Sequence, residues 1–199
     1  MLRVAAVGKW IIEHWNNHSI KLNEEDIIEV LLLHDIGNIV KGEDDNFKAL
    51  FPDTYDMESF EYWVNMRNWI REHYGNNDLQ ATQNIVKEIG ISEKLREMIE
   101  KKQFYNNRKT YENTDYAIKI CAYADQRVAP EGIMSLNGRL NEAIKRYQNV
   151  KDASVNRSDR KVLIQFAKKI EEQIFENVNR TPDQITDESV EVYISDLEC

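Results

Sequence analysis

The chain has 199 residues, 42% of them hydrophobic and 31% charged, with a formal net charge of −9. This length and apolar content support one domain, or one domain with an appendage, around a real core. Seven Gly and three Pro are too few for a turn-rich β-sandwich, and the acidic balance argues against non-specific binding to nucleic acid, though not against a small anion in a locally positive pocket.

Cys121 and Cys199 are too few and too far apart for a disulfide framework, which points to reduced thiols and a cytoplasmic protein. No apolar run approaches the roughly 18 residues of a membrane span. Lys9, Glu13 and His14 break the apolar stretch at the start, so a signal peptide is not expected.

Val4, Val7, Ile11 and Trp15 recur at helical spacing and predict a helix from Leu2 to Trp15, with Ala5 and Gly8 small enough for a close neighbour. No capping residue precedes it, so the helix reads as cut. Asn23 caps a second helix with Glu24, Glu25 and Asp26 in its first turn, where the helix dipole favours acids. It runs through Ile27, Ile28 and Val30 into Leu31-Leu32-Leu33-His34-Asp35, with Gly37 as the stop. Residues 42–57 read as a loop of the kind that lines or covers a site.

Ser59 to Tyr74 is predicted helical and closed by Gly75, with Phe60, Trp63 and Trp69 expected in the core. Asp78 to Ile89 follows, closed by Gly90. Ser92 caps Glu93 to Lys102, with Glu93, Lys94 and Glu97 on a solvated face. Phe104 to Asn113 reads as irregular. Thr114 is expected to cap a buried helix through Ala117, Ile118, Ile120, Cys121, Ala122 and Ala124, ending at Asp125 to Val128 ahead of Pro130 and Gly132. Ser135 to Val150 is amphipathic, and a polar break follows from Lys151 to Arg157. Ser158 opens a long helix to Phe175. Thr181-Pro182 is a cap with proline at the first helical position, and an acidic tail helix ends near Leu197.

No strand alternation is convincing. The class is all-α with eight or nine helices. The expected division is a main helical domain over residues 1–150, the one that would hold any metal site, and a C-terminal helical extension over residues 151–199 packed on it.

Two buried helices each end in carboxylate chemistry, one at His34 and Asp35 and the other at Asp125. Burying an imidazole and a carboxylate is costly unless something pairs with them, and a divalent metal suits both donor types. Taken alone, His34-Asp35 reads equally as a half-buried histidine whose neighbour begins a turn.

The pattern resembles the HD-domain superfamily of metal-dependent phosphohydrolases. The likeness runs from Leu2-Arg3-Val4-Ala5, through Leu31-Leu32-Leu33-His34-Asp35-Ile36-Gly37, to Ala124-Asp125-Gln126-Arg127-Val128. It implies an all-α HD-like fold and hydrolysis of a phosphate ester by metal-bound water, with His34, Asp35 and Asp125 as ligands of one divalent ion. Mn, Mg, Co, Ni, Fe and Zn are not distinguished. Asp35 could bridge metal and water and so serve as the base.

Two departures stand out. The family's first His falls immediately before Leu2, and this chain has none there. The expectation is that the natural chain extends upstream with a His directly before Met1, or that three side chains hold the metal. Asn38 stands where relatives often carry Lys or Glu, and it cannot act as an acid or base near neutrality. With His73 the only histidine in the middle of the chain, a second metal is not expected.

Arg127 projects near the proposed site and is a candidate for holding substrate phosphate, or else a surface arginine at a helix end. Lys41 and His73 are further substrate-binding candidates, each with a plain surface or helix-end alternative. The expected partner is a small phosphate ester, most simply a nucleotide, and a homodimer is compatible with the sequence. The alternatives are a degenerate HD fold that binds a ligand or a protein without turnover, and an unrelated helical interaction protein.

Overall fold

A computed structural model of the chain describes residues 1–41, 57–147 and 157–197. The expected loop at 42–57 thus lies almost wholly outside the described residues, as do the boundary at 150, nearly all of the polar break and Cys199.

The described residues are all-α. The helices are α1 (Leu2–Glu13), α2 (Glu24–Leu33), α3 (Met57–Tyr74), α4 (Asp78–Glu88), α5 (Glu93–Lys101), α6 (Asn107–Glu112), α7 (Tyr116–Asp125), α8 (Leu136–Tyr147), α9 (Arg157–Phe175) and α10 (Asp187–Leu197). Short 3-10 turns cover Asn38–Lys41, Phe104–Asn106 and Pro182–Gln184, and a minimal antiparallel hairpin pairs β1 (Val128–Ala129) with β2 (Gly132–Ile133).

Several expectations are corrected. Phe104 to Asn113 is ordered as a 3-10 turn running into α6. The cap of α7 is Asp115, whose carboxylate accepts from the Ala117 N–H at 2.9 Å, and Asn113 in turn accepts from the Asp115 N–H; Thr114 is not the cap. Pro182 starts a separate 3-10 turn closed by Thr181 and Gln184, and α10 begins afterwards behind the reciprocal Thr186–Ser189 bonds.

The described chain forms two compact units, residues Met1–Leu32 with Glu97–Cys199 and residues Leu33–Arg96. In the first, Val4, Val7 and Ile11 of the expected α1 stripe are buried, with Ala5, Ala6 and Trp10, whereas Trp15 lies beyond the end of the helix at Glu13 and is half-buried. Gly8 lets α2 approach so closely that a Cβ there would meet Leu31 Cδ1 at 2.3 Å. α1 also packs on α7 and on α10, and α9 packs on α6 and α7. Ile118, Ile120, Cys121, Ala122 and Ala124 make α7 buried nearly all round, as a central helix should be. Its one lysine, Lys119, is buried too, donating to the Tyr111 carbonyl at 3.1 Å and to Gln173 Oε1 at 2.6 Å. Burial lowers its pKa.

In the second unit, α3 and α4 pack together and both hold the 3-10 turn after α2. Trp63 and Trp69, expected in the core, are half exposed. The better covered side of α3 is instead the stripe Phe60, Val64, Arg67, Arg71 and Tyr74, at helical spacing, and the tryptophans fall off it.

Candidate metal centre

α2 ends at Leu33, so His34 and Asp35 stand in the turn that follows, not in the helix. Bonds from Ile36 N to Leu33 O, from Asn38 N to Asp35 O and from Val40 N to Gly37 O tighten this turn into 3-10 geometry. His34 is buried, and its Nε2 lies 3.5 Å from Asp35 Oδ2, while the Asp35 side chain is 40% exposed. One donor therefore faces the protein and the other reaches solvent.

Gly37 does more than stop a helix. Its N–H donates to Thr82 Oγ1 at 3.1 Å, and a Cβ added to it would meet Thr82 N at 2.5 Å and Asp78 O at 2.7 Å. Only a glycine lets the turn lie this close on the start of α4. Arg71 fixes the far end of the turn, donating to the Val40 carbonyl through Nε at 3.0 Å and Nη2 at 2.6 Å. Lys41 is exposed and pairs with Asp78 at 2.5 Å. His73 is exposed on α3; its Nδ1 bonds the Trp69 carbonyl at 2.7 Å and its ring stacks on Trp69.

In the first unit Asp125 is the last residue of α7. Its Oδ2 accepts from Lys102 Nζ at 2.6 Å. Lys102 lies just past α5 and its side chain is 1% exposed, against 34% for Asp125. The next residue, Gln126, exchanges two amide hydrogen bonds with Asn107, each 3.1 Å, and also donates to the Ala122 carbonyl. Asn107 further reaches the Leu163 carbonyl on α9. The end of α7 is thereby tied to α6 and α9 by satisfied buried amides.

Arg127 is buried. Its guanidinium donates to the Tyr123 hydroxyl and to the carbonyls of Met134, Pro182 and Ile185. Those bonds engage Nε and both terminal nitrogens, and so all the N–H groups an arginine has. The expectation of Arg127 as a phosphate ligand thus has no donor left to rest on: the side chain clamps residues 182–185 to the end of α7.

Lys102 is the residue that sequence reasoning missed, taken only as the end of a solvated helix. The signal was present: Leu95, Met98, Ile99 and Lys102 follow the i, i+3, i+4, i+7 spacing of one helix face, and all are buried.

No family model, curated protein or solved structure matches the chain. No helix among the described residues is long and apolar enough to cross a membrane.

Proposed function

We propose that the chain is a metal-dependent phosphohydrolase of the HD-domain type, cleaving a nucleotide or related small phosphate ester. The single observation that carries this reading is the pair that follows α2, where buried His34 sets its Nε2 3.5 Å from Asp35 Oδ2, and the reading adds Asp125 as a third ligand. The chemistry of the set fits. One imidazole and two carboxylates match a hard-to-borderline divalent cation. His34 and Asp35 follow the end of α2 and Asp125 ends α7, and the C-terminal end of a helix favours positive charge.

A divalent ion held there supplies Lewis acidity, acidifying water and polarising a phosphoryl oxygen. Asp35, the more exposed carboxylate, takes the proton from the attacking water. His34, buried and beside it, orients the pair. With Arg127 committed to backbone carbonyls, contact with substrate phosphate falls to Lys41, whose exposed pair with Asp78 an anion can compete for, and to His73. A reducing, cytoplasmic setting belongs to this reading and suits the buried free thiol of Cys121.

The test is metal content of the purified protein, then a panel of phosphomonoesters and phosphodiesters with added Mn, Mg, Co and Ni. Metal-dependent turnover that His34→Ala and Asp125→Ala abolish is the expected result. Turnover untouched by both substitutions, or no metal uptake at all, overturns the reading.

One observation favours a second reading, an HD-like fold that binds a ligand or a protein without turnover. The Lys102 ammonium already neutralises Asp125. A folded protein that takes up no divalent ion would support this alternative.

A further inference from the structure

Lys102 carries a charge into the protein interior and sets it against one of the proposed metal ligands. Its place on the apolar stripe of Leu95, Met98 and Ile99 directs the side chain inward, and its Nζ lies 2.6 Å from Oδ2 of Asp125. A desolvated ammonium is strongly destabilising without a carboxylate partner, so the pair has to persist whenever Asp125 has no other cation.

We infer that Lys102 is the resident counter-cation of Asp125: it balances the carboxylate when no metal is bound and opposes a divalent ion at the same group, so that the ion is held weakly and exchanges readily. This rests on the proposed reading of Asp125 as a metal ligand. Two physical effects drive it. The ammonium engages Oδ2, so a metal at Asp125 would meet a carboxylate whose charge is already partly satisfied. Two like charges around one carboxylate also repel strongly at such short range, more so away from bulk water. Because the charge of Asp125 is balanced from within the chain, the fold does not depend on the metal, unlike small domains that are unfolded until metal binds. Lys102 acts through Asp125 and is a positioning residue.

The test titrates Mn²⁺ into the full chain by calorimetry and melts the same proteins in chelator. The proteins compared are wild type, Lys102→Met, Lys102→Gln, Asp125→Asn and the Lys102→Met/Asp125→Asn double variant. Both Lys102 variants should bind Mn²⁺ about tenfold tighter than wild type or better, because a nearby positive charge has gone. Without metal, Lys102→Met should lower Tm, and that drop should shrink by more than half in the Asp125→Asn background, since the two residues act as one pair. If Lys102→Met does not fold, Lys102→Gln, which keeps a donor for Oδ2, carries the comparison. Mn²⁺ bound only once Lys102 is replaced also supports the inference.

Unchanged or weaker Mn²⁺ affinity in the Lys102 variants overturns the inference but leaves the metal reading standing, provided wild type binds Mn²⁺ and His34→Ala does not. Losses of Tm that simply add overturn it as well. If no protein in the set binds Mn²⁺, the metal reading and this inference fall together.

Discussion

Asn107 and Gln126 meet amide to amide, each donating to the other's oxygen at 3.1 Å, beside the last residue of α7. Replacing Gln126 with Leu strands a buried carboxamide oxygen of Asn107. The expected loss is about 1–3 kcal/mol, read from the urea midpoint. Asn107→Leu should cost a similar amount, and the double variant clearly less than the two together, because no orphaned amide remains. Strictly additive losses would show that the pair is not coupled.

Gly37→Ala should destabilise the unit formed by residues 33–96. The new methyl meets the backbone of α4, which cannot swing aside as a side chain can. An overpacked site of this kind costs about 1–3 kcal/mol. The turn that carries His34 and Asp35 has to shift, so metal affinity should weaken as well. Hydrogen exchange over residues 34–41 is the direct measurement, and unaltered protection there would refute the close-packing account.

Arg127→Lys should be severe despite keeping the charge. An ammonium cannot reproduce the fork that serves the Met134, Pro182 and Ile185 carbonyls together. The expected cost is about 2–4 kcal/mol, within the range for breaking a buried polar network. Protection from exchange should be lost first around residues 182–185. If Arg127→Lys were as stable as wild type but raised KM for a phosphate ester, the clamp would be the wrong account and a substrate contact the right one.

The legibility of this chain divides by range. Helix positions, the buried stripe of α1 and the glycine closures after α3 and α4 are local matters, because period and capping chemistry act within a few residues. The same logic extends to Lys102, whose spacing from Leu95 marks it as buried even though its charge invites a solvated assignment. Arg127 is different. Its carbonyl partners at 182 and 185 lie 55 and 58 residues away, a distance that no local pattern spans. Thr114 and Asp115 show the limit at close range: both are good caps, and Asn113 decides between them by holding the Asp115 N–H. The pairing of His34 with Asp35 follows from adjacency. That Asp125 would already hold a lysine could not be read from its neighbours, since Lys102 lies 23 residues before it.

Alkaline pH should unfold the protein partly through Tyr123. Its hydroxyl donates to Glu171 at 2.7 Å, and burial, only partly offset by Arg127, holds its pKa well above the ordinary 10.0. The folded chain keeps this proton where the unfolded chain releases it. Above about pH 10 stability should therefore fall, with Tyr123 contributing up to about 1.4 kcal/mol per pH unit, while below that pH it adds no slope. Tyr123→Phe should start from a lower stability near neutrality, having lost two hydrogen bonds, and decline less steeply from pH 10 to 11. An identical slope in both proteins would remove Tyr123 as the cause.

The closure of α1 onto α10 has a consequence for how the chain is made. Arg3 reaches Asp187 at 2.8 Å and Lys9 reaches Asp196 at 3.5 Å, while Arg127 waits for Pro182 and Ile185. During synthesis α1 therefore stands without α10 until the residues from Asp187 onward have been translated. For that interval the Arg127 guanidinium lacks its Pro182 and Ile185 carbonyls, and the face of α1 that packs on α10 is open to other partners. A ribosome that pauses before the codon for Asp187 holds a chain in this exposed condition, so translation speed just ahead of α10 should govern how much of the product needs chaperone protection.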